Sequence, residues 1–183
     1  MDDLVRQAMA KWPNVPDCYG WLGLDARGNW YLRDDAAQAA GTFAEGNLQA
    51  KGSLLQHEKL LEFIARNYSA DDRGCWFFQN GPQRVYVELQ CTPWIWRIQN
   101  DYSLVSHTGV GARAIQCLLD DEGKVYLETS LGLGLVHTQD VELAANAIES
   151  GIWRIQTVIG ESLPAQFRYV RSPKLLRKEK PSS

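Results

Sequence analysis

The groups in this 183-residue chain that could do chemistry are three histidines, four cysteines and a tryptophan–arginine run. A metal site needs such side chains to converge at coordination distance, and an activated nucleophile needs a base within hydrogen-bond reach. His57, His107 and His137 stand far apart, as do Cys18, Cys75, Cys91 and Cys117, and there is no Cys-x-x-Cys. The sequence therefore predicts no metal centre, no bound cofactor and no catalytic residue, and it points to reduced thiols. The enzymatic alternative is a small catalyst in the second half, with Cys117 paired to His107 or His137, although nothing in the spacing requires them to meet. Gly132-Leu133-Gly134 precedes a helix, as a phosphate loop would. The third glycine and the P-loop lysine are missing, and a lone Gly-x-Gly in an apolar run more often marks close backbone packing.

The more informative cluster is Trp94, Trp96 and Arg97, which with His107 make up the candidate ligand-binding residues. On a regular strand Trp94 and Trp96 share a face and Arg97 points away from it. Two adjacent indoles could wall a pocket for a flat or apolar ligand; the other reading is that they pack beneath a helix as core. Arg97 and Arg154 recur in a repeated pentapeptide, Ile95–Gln99 and Ile152–Gln156. They could pair with acids such as Glu88 and Glu128, or contact an anion.

These residues must be positioned by hairpins and helices. Asp2 and Asp3 open a helix through Lys11, which Trp12-Pro13 stops. Residues 19–32 read as a hairpin about Asp25-Ala26-Arg27-Gly28, and residues 34–52 as a loop with one weak helical turn. Ser53 and Gln56 suggest a capping box for a helix over 53–68, whose buried stripe would include His57, Leu60, Leu61, Ile64 and Tyr68. Residues 75–89 form a second hairpin around Asn80-Gly81-Pro82, and Trp94–Ile98 forms a further strand. A third hairpin turns at Asp120-Asp121-Glu122-Gly123, repeating the Asp-x-x-Gly spacing of the first. Thr138 is placed to cap a second helix to about Glu149 with Val141, Ala144, Ala145 and Ile148 buried. Residues 152–159 and 167–170 read as closing strands. Two main helices among many hairpins predict an α+β fold, mostly antiparallel, in two similar and intimately packed halves, 1–101 and 102–171.

A hydrophobic fraction of 45% and a charged fraction of 22% are ordinary for a globular chain. At this length about two thirds of the unfolded surface can be buried, so no disulfide or metal is required for folding. The net charge of −3 argues against a nucleic-acid binder, yet it is uneven. From Arg168 onward six basic residues face the single Glu179, and residues 172–183 read as a basic, disordered tail. Phosphate contact through that tail is a minor alternative. The start lacks a secretory pattern and no apolar run spans a bilayer, which predicts a cytoplasmic protein with no membrane association.

Leu24-Asp25-x-x-Gly28-x-Trp30-Tyr31, the Leu60-Leu61 helix, Gly74-x-Trp76, Arg84–Glu88 through Pro93-Trp94, and Val125–Glu128 with the helix after Thr138 follow one another in a familiar order. In this the chain resembles uncharacterised conserved bacterial proteins built from repeated α+β motifs, for which a role in signalling or regulation has been suggested. The resemblance covers most of residues 19–159 and brings no established site residue. The sequence thus points to a non-catalytic regulatory protein that binds a small molecule or protein partner, with homodimerisation through an exposed sheet edge as one form of partnership.

Overall fold

Three aspartates reverse the chain, and the strands beside them set the architecture. In the computed structural model, which describes residues 1–45 and 47–178, Asp25, Asp71 and Asp120 each stand three residues before a glycine whose φ lies between 79° and 83°. That left-handed conformation suits glycine and lets the chain turn back as a hairpin. In order, the elements are α1 (Asp3–Lys11), β1 (Cys18–Leu24), β2 (Trp30–Leu32), α2 (Asp35–Ala39), α3 (Leu48–Lys51), β3 (Ser53–Leu54), α4 (Glu58–Arg66), β4 (Tyr68–Ala70), β5 (Trp76–Asn80) and β6 (Gln83–Leu89). There follow β7 (Trp94–Ile98), β8 (Leu104–Ser106), β9 (Gly111–Ala112), β10 (Gln116–Asp120), β11 (Val125–Thr129), β12 (Gly132–Val136), α5 (Val141–Glu149), β13 (Ile155–Val158), α6 (Leu163–Gln166) and α7 (Pro173–Lys178).

These elements fall into two compact units. Among the described residues, the first takes 1–25, 29–90 and 169–178; the second takes 26–28 and 91–168. The first holds a six-stranded sheet in the order β3-β2-β1-β6-β5-β4, the second a seven-stranded sheet in the order β13-β10-β11-β12-β7-β8-β9. The chain is α+β, and the two sheets answer to the two expected halves. Antiparallel pairings predominate, but both sheets are mixed, because β1–β6, β7–β12 and β10–β13 run parallel. Parallel partners cannot be joined by a tight turn, so these contacts unite strands that lie far apart along the chain. Since β7 pairs with β8 and β12, Trp94–Ile98 belongs to the second sheet, and the units divide at 90/91 rather than after residue 101.

The aspartates do more than turn the chain. Asp120 Oδ1 accepts the backbone N–H groups of Glu122 and Lys124 at 3.0 and 2.8 Å, while Oδ2 accepts the Tyr126 hydroxyl at 2.8 Å. Asp71 repeats the pattern with Arg73, Cys75 and, at 3.1 Å, the Tyr86 hydroxyl. At Asp25 the Asn29 N–H approaches to 2.8 Å and the Tyr31 hydroxyl to 3.4 Å. Each carboxylate therefore ties its loop to a tyrosine on a strand, two of them in the buried core.

Several local expectations give way to sheet pairing. Ser53 does not cap a helix: Ser53–Leu54 pairs antiparallel with β2, and a Cβ on Gly52 would stand 2.2 Å from the Leu32 carbonyl oxygen. The helix starts at Glu58 instead, with His57 as its cap; its Nδ1 accepts the Leu60 N–H at 3.3 Å. Tyr68, expected at the helix end, begins β4. Likewise His137, not Thr138, caps the later helical segment, accepting the Gln139 N–H at 3.1 Å. A 3-10 turn over Thr138–Asp140 rotates the following helix, so α5 buries Ala144 and Ala147 while Val141 and Ala145 are exposed. Residues 167–170 contribute only a bridge between Val170 and Cys75. In the stretch expected to be disordered, residues 173–178 are helical. Glu88 holds the start of α7, accepting the Ser172 hydroxyl at 2.5 Å and the Lys174 N–H at 3.1 Å. The remainder of that stretch lies outside the described residues.

Candidate functional site

The four residues singled out from the sequence gather around β7, in the second unit. Trp94 and Trp96 stack with ring centroids 5.7 Å apart, and Trp94 meets the His107 ring at 5.9 Å. Trp96 is fully buried and Trp94 nearly so. Their indole N–H groups donate to backbone carbonyls, Trp94 to Leu131 at 2.8 Å and Trp96 to Leu127 at 3.1 Å. The glycine run is part of this packing. Gly134 lies in β12 beside β7, where a Cβ would stand 2.2 Å from Trp96 Nε1. His107 Nδ1 accepts the Ile95 N–H at 3.3 Å. Arg97 points away from the indoles, as expected, and forms a two-pronged pair with Asp140 at 2.5 and 3.1 Å. Asp140 also accepts the Ile98 N–H at 3.0 Å. Burial alone would raise the Asp140 pKa, but the Arg97 and Ile98 hydrogen bonds outweigh it and hold the carboxyl below its ordinary value.

The catalytic alternatives are placed differently. His57 and His137 each use a ring nitrogen as a helix cap. Cys117 is buried in β10, and burial pushes its thiol up to about 11; Cys75 is buried too and is likewise pushed to about 11. A thiol that high is a poor nucleophile at neutral pH. Among the described residues no three His, Cys, Asp or Glu side chains are grouped to hold a metal.

A different feature stands in the first unit. A cleft of about 280 Å³ is lined by Met9, Trp12, Pro13, Val15, Asp17, Gln79, Pro82 and Arg84. The α1 helix supplies Met9, the connection to β1 supplies the next four, and the β5–β6 hairpin supplies the rest. Gln83 fastens the connection to the hairpin by donating to the Pro16 carbonyl at 2.9 Å. Trp12 is half exposed, with the Lys11 ammonium 4.6 Å from its ring centre. The Arg84 guanidinium lies 4.7 Å from the Phe77 ring centre.

Gln79 is the unusual member. It is only 1% exposed, and its Nε2 donates to the Gly81 carbonyl at 2.9 Å. A carbonyl can only accept, so that bond fixes which end of the amide is nitrogen. The other end, Oε1, is a buried acceptor with no hydrogen-bond partner among the described residues. A buried polar atom left without a partner costs about 1–3 kcal/mol. The available signal was one polar residue inside the aromatic run Trp76-Phe77-Phe78-Gln79.

The family described as "Protein of unknown function (DUF2946)" matches residues 1–174. The chain belongs to that family. No curated protein matches it. Among solved structures, it is similar to a DUF1285 family protein from Shewanella baltica OS155, at 18% identity and a TM-score of 0.44, over 69% of this chain and 91% of that one. It is also similar to a DUF1285 family protein from Silicibacter pomeroyi DSS-3, at 11% identity and a TM-score of 0.46, over 80% and 84% of the two chains. The family's description assigns it no activity, so the reading of function rests on the residues. No helix among the described residues is long and apolar enough to cross a membrane.

Proposed function

We propose that this family member is a non-catalytic, cytoplasmic regulatory protein that binds a small molecule in the cleft around Gln79. The observation that carries the reading is Gln79, a lining residue of the cleft whose buried Oε1 has no hydrogen-bond partner among the described residues. An acceptor kept dry and unpaired in the free protein is recovered when a ligand brings an N–H or O–H to it, which gives binding and selectivity together. The cleft is at the lower end of ligand-site volumes, which run from about 300 Å³, so the ligand is small. Five of the eight lining residues are apolar or aromatic and three are polar or charged, and a few placed polar groups are what orient a ligand in such sites. Support for a non-catalytic role comes from His57 and His137, whose ring nitrogens cap helices, and from the raised thiols of Cys75 and Cys117.

The test is a nitrogen-15 NMR screen of small donor-bearing fragments against the whole chain. Fragments are expected to shift the Trp12 indole and Gln79 side-chain signals, and Gln79→Leu is expected to abolish the response while the remaining spectrum stays dispersed. Fragments that bind elsewhere and leave both signals unmoved, or no binding fragment at saturating concentration, would overturn the proposal.

A further inference from the structure

The lining of the cleft specifies more than a hydrogen-bond donor, and the ligand class it specifies rests on that cleft being the binding site. Besides Gln79, two lining residues carry charge, and they are of opposite sign: Asp17 and Arg84. The remaining five, Met9, Trp12, Pro13, Val15 and Pro82, are apolar or aromatic. We infer that the ligand is a small zwitterion with an apolar substituent, of the class of a free α-amino acid with an aliphatic or aromatic side chain.

Each polar group of the lining has a counterpart on such a ligand. An ammonium group has three donors and no acceptor, so one ligand atom can serve both the Gln79 Oε1 and the Asp17 carboxylate. A carboxylate accepts in two parallel bonds from a guanidinium, the geometry that makes arginine the common partner of such anions. Arg84 follows the β5–β6 turn and Gln79 precedes it, and their backbones are register partners on adjacent strands. The two groups therefore rise from adjacent strands of one hairpin. The apolar walls then receive the substituent, with the half-exposed Trp12 ring as the broad surface.

Other small ligands leave something unmet. A simple anion would meet the Asp17 carboxylate and give Gln79 no donor. An organic cation would satisfy Gln79 and Asp17 but bring like charge to Arg84. A neutral heterocycle would give neither charge a partner on the ligand. A zwitterion alone uses all three groups, and its zero net charge matches the formal charge of the lining.

The experiment compares L-phenylalanine and L-leucine with N-acetyl-L-phenylalanine amide, which keeps the ring and removes both charges, in the same NMR titration. The free amino acids are expected to shift the Trp12 indole and Gln79 signals, and the blocked compound to bind about tenfold or more weakly, the effect of losing one good charged contact. Asp17→Asn, at an exposed position, and Arg84→Gln, at a half-buried one beside the Phe77 ring, are each expected to erase that preference. If the blocked compound binds as well as the free amino acid, or if donor-bearing fragments shift Gln79 and amino acids do not, the zwitterion assignment falls and the cleft remains a binding site. If neither fragments nor amino acids shift these signals, the cleft itself is not the site.

Discussion

The surroundings of β7 and the cleft beside the β5–β6 hairpin are built from similar materials and end in opposite states. Both bring tryptophan and arginine together near a strand. Around β7 two indole N–H groups are spent on carbonyls, one guanidinium on a carboxylate and one imidazole nitrogen on a backbone N–H. In the cleft one buried acceptor is left over. Residue type is therefore a weak guide to function, since tryptophan and arginine are also the residues that best fill and fasten a sheet. A buried acceptor such as Gln79 Oε1, on a residue that lines a cleft, is a better pointer than residue type.

The contrast can be tested from the core outward. Trp96→Ala removes a fully buried indole and is expected to lower stability by about 3–5 kcal/mol in urea unfolding. A loss below about 1 kcal/mol would mean the indoles are not core, and the comparison would collapse. Next come the aspartate–tyrosine ties. Tyr126→Phe leaves Asp120 Oδ2 without its hydroxyl and should cost about 1–3 kcal/mol. Tyr86→Phe should cost less, because Arg73 also donates to Asp71 Oδ2; equal losses would contradict this ranking. The acid limb of stability reports on Asp140. Its folded pKa lies below the unfolded value of about 3.9. Its contribution is therefore present above about pH 4 and is lost as pH falls towards the folded value. Asp140→Asn is expected to flatten the decline of the urea midpoint below pH 4, and an unchanged decline would assign it to other carboxyls. Glu88 carries the opposite sign. Burial raises its pKa against the Ser172 and Lys174 hydrogen bonds, so its protonated form is favoured and stability tied to it declines as pH rises through the folded value. The smallest stability effect is expected at the residue of greatest interest. Gln79→Leu trades one hydrogen bond to Gly81 for relief of the unpaired oxygen and should fall within about 1 kcal/mol of neutral.

Much of the fold was legible because its signals are local. The Asp-x-x-Gly turns at Asp25 and Asp120, the alternating strands beside them and the second hairpin all follow from residues within one turn of each other. The misreadings come where a distant partner decides. Ser53 carries a good capping pattern, yet β2 offers it a sheet edge. The parallel pairings β1–β6 and β10–β13 join strands far apart in sequence, and no local periodicity encodes such a register. Arg84–Glu88 is alike in sequence to Lys124–Glu128, as Ile95–Gln99 is to Ile152–Gln156, and the two likenesses show the same limit. Tyr86 and Tyr126, in the Arg84–Glu88 and Lys124–Glu128 segments, perform one structural task twice. Ile95–Gln99 and Ile152–Gln156 do not: Trp96 is sealed within β7, whereas Trp153 precedes β13 and packs edge-on against Tyr102 at 6.0 Å. At the candidate site, the sequence places Arg97 among the ligand contacts and gives no sign of its pairing with Asp140. Gln79 is hard to single out, because an unpaired acceptor is a property of the folded surroundings and not of glutamine.

The route of the chain has a consequence for its synthesis. The first unit is interrupted by the second and resumes at Tyr169, where Val170 bridges to Cys75, Arg171 accepts the Leu89 N–H at 2.8 Å, and Ser172 and Lys174 bond Glu88. During translation, residues 91–168 are contiguous and can collapse as soon as they leave the ribosome. The earlier-made segment must wait, with Glu88 and the flank of β6 uncovered, until the residues around α7 emerge. The part synthesised first is thus completed last.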